Sequence, residues 1–438
     1  MIRPTVRHLI FDQIHMQVHI RKARVIDPQS GFHDTMADLL IEDGIIKHIA
    51  ADMATPDGAT VVAAEGLCVS PGWIDVFADY REPGLEHKET ITSGLAAAAA
   101  GGFAHVLLAP NTQPALSTKS AIQYVVQRAA GNAVSLHPIG AATQQAEGKE
   151  LAEMLDMRAN GAIAFSDGWK PVQNANLMLK ALEYVKAFNG TIIQLPVDAH
   201  LASGGLMNEG EVSTGLGMAG IPALAETIMV HRDVELLRYT GSKLHITGIS
   251  TAASAEMIRK AKAEGLAITC SVTPYHLALT DEALKTYDSA YKVSPPLRGE
   301  ADRQALIAAL KDGTIDCIAS HHRPHEWDAK TKEFEYAADG MAVQELTYNI
   351  LWDAVKGHMT IDRLAEAMST IPADIFGITV PGIEEGNAAS LTLFTTEGSH
   401  TLAVGKGKSI AINDPFGGKK LSGKVIGIIN NGQTVINC

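Results

Sequence analysis

Pro71-Gly72-Trp73-Ile74-Asp75-Val76-Phe77-Ala78-Asp79-Tyr80-Arg81-Glu82-Pro83-Gly84 is the stretch on which the reading of this chain turns. Its apolar run, Ile74 to Ala78, has strand length. From Pro71 onward such runs alternate with helical segments of roughly a dozen residues or more. The further runs are His105 to Ala109, Val134 to Ile139, Ala162 to Phe165, Thr191 to Leu195, Lys243 to Ile246, Ala267 to Ser271 and Asp316 to Ala319. Eight strands, each followed by a connection or helix, predict an α/β fold of the (β/α)8 barrel type. Two helices are well marked: Glu89 to Ala100, closed by Gly101-Gly102, and Ala252 to Glu264, closed by Gly265.

Both ends of the chain read differently. Met16 to Val25 and Met36 to Ile49 carry strand patterns, the second broken by a Glu42-Asp43-Gly44 turn. After Pro381 the segments Ser390 to Thr396, Lys408 to Ile412 and Gly423 to Asn431 are short β signals among Gly-rich turns. The expected organisation is residues 1–70 and 386–438 forming one small β-sandwich, with residues 71–385 as the barrel.

A net charge of -13 excludes nucleic acid and anionic membrane as natural partners, since both require a basic surface. No apolar run reaches the roughly 18 residues of a membrane span. The first fifteen residues carry His8, Asp12 and His15 and do not read as a signal peptide. Cys68, Cys270, Cys317 and Cys438 are widely spaced and form no CxxC pair. A cytoplasmic protein is the expectation.

The Pro71–Gly84 block resembles the end of the first barrel strand in dihydroorotases, Pro-Gly-x-Ile-Asp-x-His-x-His-x-Arg-Glu-Pro-Gly. Further segments are similar to that family in the same order: Ala109-Pro110-Asn111-Thr112-Gln113-Pro114, Ala164-Phe165-Ser166-Asp167-Gly168, Met207-Asn208-Glu209-Gly210, Gly220 to Glu226, Pro295-Pro296-Leu297-Arg298 and Asp316-Cys317-Ile318-Ala319. The resemblance implies a zinc site at the strand ends that activates water and polarises an amide carbonyl. It also implies reversible closure of carbamoyl aspartate to dihydroorotate, with a last-strand aspartate as general base and acid.

Against that pattern the ligand positions are altered. Phe77 and Asp79 replace the histidine pair of the first strand. Leu195 stands at the fifth-strand histidine, Gly248 at the sixth, and His321 at the catalytic aspartate. Asp167 corresponds to a bridging carboxylate and is a residual metal candidate with His321 and His322. Phe77, Leu195 and Gly248 offer no side-chain donor, so no zinc or other cofactor is expected. A displaced metal site on His321, His322 and His325, with His245 and Asp79 near, is the alternative to histidines that fill the vacated pocket and bond Asp79 or Asp167.

The residues that grip the substrate carboxylate in the family are kept as Arg81, Asn111 and His325. The alternative is that Arg81 pairs with a local carboxylate such as Asp79 or Glu82. Ser294 and Tyr275 replace a family asparagine and histidine. Gly204-Gly205 and Gly215 to Gly220 lack phosphate-loop spacing and read as loops over the barrel mouth.

Three functions follow from these residues. The first is a non-catalytic homologue acting as structural partner of aspartate transcarbamoylase, with a homo-oligomer expected. The second is an active dihydroorotase with a rebuilt site, or a relative of allantoinase and hydantoinase, for whose carboxylated lysine Lys170 is the nearest candidate. The third is a binder of a carboxylated pyrimidine precursor through Arg81, Asn111 and His325.

Overall fold

The computed structural model describes residues 17–437. The N-terminal stretch with His8, Asp12 and His15, and also Cys438, lie outside the described residues. Eight strands, Trp73–Ala78, Phe103–Leu108, Ser135–Gly140, Ala164–Phe165, Ile192–Gln194, Leu244–Ile246, Ile268–Val272 and Cys317–Ile318, pair in chain order, and every pairing is parallel. The first and last close the ring. His321 donates its backbone N–H to Phe77 O at 3.0 Å, and Asp79 donates to His322 O at 2.9 Å. Buried Asp75 reinforces the seam, accepting from Ser320 Oγ at 2.5 Å and Gln344 Nε2 at 2.6 Å. All eight runs anticipated from the sequence are barrel strands.

The helix Ile91–Ala100 starts where Thr90 and Ser93 bond each other's backbone N–H groups. Its alanine-rich face packs in the core beneath the barrel strands. Gly94 is dictated by packing, because a Cβ there would come within 2.4 Å of the Tyr80 ring. The second anticipated helix is Ala252–Ala263, with Thr251 accepting at its N-terminus. The inside of the barrel is filled by Ile74, Val76, Phe77, Leu107, Ile139, Ile193 and Cys317, and Phe376 lies against His245 with ring centroids 5.3 Å apart. Cys68, Cys270 and Cys317 are buried, as expected of thiols used as small apolar groups.

Both ends of the chain combine in one eight-stranded mixed sheet. Gln17–Val25, Met36–Glu42, Ile45–Ala50, Thr60–Val62 and Leu67–Pro71 come from the N-terminal side, and Leu391–His400, Leu421–Asn430 and Gln433–Ile436 from the C-terminal side. The turn at Asp43 and Gly44 has both residues at positive φ, 49° and 77°, which is what a two-residue hairpin needs. Lys408 to Ile412 is not a strand. Its polar groups are used by the barrel instead: the Lys408 backbone N–H donates to Glu345 Oε2 at 2.6 Å, and the Ser409 hydroxyl donates to buried Glu89. The segment 401–420 is thereby strapped across the barrel, and Asn413 fastens it further by donating to Arg323 O at 2.9 Å and accepting from His325 N at 3.0 Å.

Among the described residues, no helix is long and apolar enough to cross a membrane.

Candidate functional site

The C-terminal ends of the first, fourth, sixth and eighth strands meet at a cluster of aromatic rings. Phe77, at the end of the first strand, is fully buried. Its ring lies 5.1 Å from that of Trp169, edge to face, and 5.0 Å from that of His321. Trp169 and His321 meet edge to face at 5.2 Å. Such contacts bury apolar area and favour ring edges against ring faces. Arg323 covers the other exposed part of Trp169, with its guanidinium carbon 4.6 Å from the ring centroid.

Trp169 reaches this place through a tight turn. Gly168 has φ 62°, and a Cβ on it would lie 1.8 Å from Asn111 Oδ1. Asn111 clasps the turn from both sides, donating to Asp167 O at 3.0 Å and accepting from Trp169 N at 3.0 Å. The indole N–H then donates to buried Asp79 at 2.7 Å. Asp79 also accepts from the backbone N–H of Arg81 at 3.1 Å and lies 3.1 Å from the Arg81 Nε. Trp169 was not singled out in the sequence. A trace exists there: Ala164-Phe165-Ser166-Asp167-Gly168 resembles the family's Ala-Phe-Ser-Asp-Asp-Gly but is one aspartate shorter, which brings a large ring forward.

The histidines separate rather than converge. His321, fully buried, has φ 47° and bonds Thr247 Oγ1 through Nε2 at 2.8 Å, while its Nδ1 has no partner. Its ring fills the space next to Gly248, where an added Cβ would sit 2.3 Å from His321 Cε1. Burial holds this imidazole neutral, well below its ordinary pKa, and the charge of Arg323 acts in the same direction. His322 reaches Glu89 at 3.4 Å. His325 bonds Asp339 O at 2.8 Å and is pulled down to about 3, chiefly by burial. His245 bonds Thr269 and Ser271 at 2.9 and 3.1 Å. None of the four bonds Asp79 or Asp167, contrary to the expectation above, because Trp169 and Arg81 take Asp79 and the Thr143 loop takes Asp167.

Asp167 caps that loop, accepting from Thr143 N at 2.8 Å and Thr143 Oγ1 at 2.5 Å. Burial raises its pKa, and these bonds offset part of the rise. Its oxygens are thus spent on the loop rather than aimed at the strand ends. Among the described residues, no three His, Cys, Asp or Glu side chains stand close enough to hold a metal ion together. The residues at the family's ligand positions do not fit zinc. Phe77, Leu195 and Gly248 lack donors, and the orphaned Nδ1 of His321 is one imidazole nitrogen, too few to hold a metal ion.

Above the cluster lies an open cavity of about 490 Å³, walled by Arg81, Asn111, Gln113, Trp169, Lys170 and Arg323. Arg81 and Asn111 therefore share one cavity, as the retained carboxylate grip requires. His325 does not line it and gives its Nε2 to a backbone carbonyl. Glu82 serves a different purpose, accepting from Arg128, Tyr124 and the N-terminus of the Ile91–Ala100 helix. The glycine-rich segments turn out to be partly regular, with Glu211–Leu216 helical and Met207–Asn208 paired to Gly220–Ile221. Arg298 and Glu226 knit them to the strand end at Ser250.

The comparisons agree with this architecture and with the ordered sequence segments. A family model described as "Dihydro-orotase-like" matches residues 66–254. A protein named dihydroorotase from Acetivibrio thermocellus is 41% identical over 420 residues, spanning 95% of this chain and 98% of its own length. Another, from Geobacter sulfurreducens, is 42% identical over 422 residues, spanning 96% and 99%. The chain belongs to the dihydroorotase family. Among solved structures, an L-hydantoinase (dihydropyrimidinase) from Arthrobacter aurescens superposes with a TM-score of 0.84 over 96% of both chains at 22% identity. A D-hydantoinase (dihydropyrimidinase) from Thermus sp. gives 0.78 at 21% identity, covering 96% of this chain and 97% of its own. At such identities these likenesses bear on the fold alone, and they place this dihydroorotase-family chain in the barrel-plus-sheet architecture described above.

Proposed function

We propose that this chain is a non-catalytic dihydroorotase homologue of pyrimidine biosynthesis, acting through its surface as a structural partner of aspartate transcarbamoylase. The observation that carries the loss of chemistry is the placement of His321 against Gly248, inside the ring cluster of Phe77 and Trp169. Zinc chemistry needs an open, polar position where a bound water meets the scissile amide. Here that place is packed with side chains. The partnership rests on family analogy.

The second reading is an active dihydroorotase. The comparisons support it more than the first, because curated relatives of about equal length and at least 40% identity carry that name. It would need ligands other than those of the family pattern.

Dihydroorotate hydrolysis by the zinc-supplemented full chain separates the two readings. No turnover above buffer is expected, and steady turnover that a chelator abolishes establishes the second. Size-exclusion chromatography with aspartate transcarbamoylase at micromolar concentration tests the partnership. Co-elution is expected, and separate elution removes that part of the proposal.

A further inference from the structure

We infer that the groove between the helix Ile91–Ala100 and the C-terminal strands binds an amphiphilic anion, an aliphatic chain of medium length ending in a carboxylate or a phosphate. This goes beyond the function proposed above. The groove lies away from the barrel mouth, and none of its lining residues is shared with the cavity above Trp169.

Three features of the groove carry the inference. The first is its size and its floor. The groove has a volume of about 570 Å³, inside the range of about 300–1,000 Å³ usual for small-molecule sites. Leu95, Ala99 and Val425 form an apolar base that is continuous with the buried core, so the floor is fixed before any ligand arrives. Ala96, exposed on the same helix, presents only a methyl group and leaves room for a chain. The second feature is the charge on the wall. Lys406 and Lys408 come from the strap 401–420, and Lys424 from the strand Leu421–Asn430 that follows it. Elsewhere surface lysines find carboxylates, as Lys149 does with Glu147 at 2.9 Å and Lys356 with Asp353 at 3.1 Å. Among the described residues, no carboxylate lies within ion-pair distance of the ammonium groups of Lys406, Lys408 or Lys424. A chain of net charge -13 thus gathers three unpaired cations around one apolar groove.

Third, the other ionisable groups of the wall leave this charge in excess. One carboxylate, Glu345, stands against three ammonium groups. It accepts the Lys408 backbone N–H at 2.6 Å, and burial raises its pKa. His400 is pulled below its ordinary pKa by burial and by the Lys424 charge, so it adds no charge at pH 7. A chain laid on the floor removes apolar surface from water while its head meets the lysines. A neutral chain gains only the first of these contributions, and a head without a chain only the second. The ligand also bridges the strap to the helix, so binding should brace the strap.

Calorimetric titration of the full chain at fixed ionic strength tests this, with octanoate, octyl phosphate, octanol and acetate as probes. Saturable binding of octanoate or octyl phosphate, at least about tenfold tighter than both octanol and acetate, is expected. Octanoate alone identifies a carboxylate head and octyl phosphate alone a phosphate head, while saturation by both identifies a site that reads charge. Lys406→Gln combined with Lys424→Gln should weaken the bound anion about tenfold, at an unchanged far-ultraviolet spectrum. If that variant does not fold, Ala96→Gln on the exposed helix face is read instead. Its longer side chain enters the groove and should cost about fivefold in affinity. The inference is overturned if neither anion saturates by about 10 mM, if octanol or acetate binds as tightly, or if the folded variant binds like the parent.

Discussion

The imidazole of His321 occupies the space beside Gly248 so closely that a single added methyl carbon would lie 2.3 Å from it. Gly248 is also at φ 69°, a conformation costly for any residue with a Cβ. Gly248→Ala therefore carries two penalties, backbone strain and overpacking, together about 2–4 kcal/mol. Urea unfolding measures it. Combining Gly248→Ala with His321→Ala should recover the overpacking part and leave the backbone part, a coupling that a double-mutant cycle reads directly. Additive effects would mean that the ring and the glycine do not oppose each other.

Trp169 supports its neighbours through both packing and its N–H. Trp169→Phe keeps most of the ring area but leaves Asp79 without its indole donor. The expected cost is about 1–3 kcal/mol, the range for a buried charged acceptor losing a partner. Trp169→Ala should cost about 3 kcal/mol or more and release Arg323. A thermal melt that places both variants within a degree of the parent would contradict the assigned role.

Asp167 holds the Thr143 loop rather than a cation. Asp167→Ala should lower stability by about 2–3 kcal/mol through two lost bonds to a carboxylate, whether or not zinc is in the buffer. A metal-holding Asp167 would instead give a stability loss that appears only in the presence of zinc.

Acid should unfold the protein early. His105, His245, His276 and His325 are buried with pKa values pulled down to about 3, 3, 4 and 3 by desolvation. In the unfolded chain they titrate near the ordinary 6.5, so below that pH the unfolded state binds more protons and gains. Stability is full above about 6.5 and falls as pH drops toward 4, by at most about 1.4 kcal/mol per histidine per pH unit. Asp233 and Asp414, raised to about 6 by burial, work the opposite way between their unfolded and folded values. Four histidines outweigh two carboxyls, so the melting temperature should decline from pH 6.5 to 5. A flat or rising profile over that range would contradict the neutral buried histidines.

The barrel was legible because its evidence is local. Apolar runs such as Thr191 to Leu195 and Ala267 to Ser271 carry their period within a few residues, and glycines 101, 102 and 265 mark helix ends. The missing donors at Phe77, Leu195 and Gly248 were legible for the same reason, position by position. What took their place was not. The contact of His322 with Glu89 spans 233 residues, and that of Gln344 with Asp75 spans 269. No local pattern announces such pairs. Lys408 to Ile412 misled because a strand-like composition was recruited by buried Glu89 and half-buried Glu345 to fasten a loop. Trp169 and Arg323 escaped notice because neither aligns with a residue of known role, though together with Phe77 and His321 they define the barrel mouth.

Zinc stoichiometry tests the central claim most directly. The purified full chain, incubated with excess zinc, freed of unbound metal and assayed by mass spectrometry of the element, should hold well under about one zinc per chain. Retention of about one or two zinc ions per chain, at the affinity of a catalytic site, would contradict a barrel mouth closed by Phe77, Trp169 and His321.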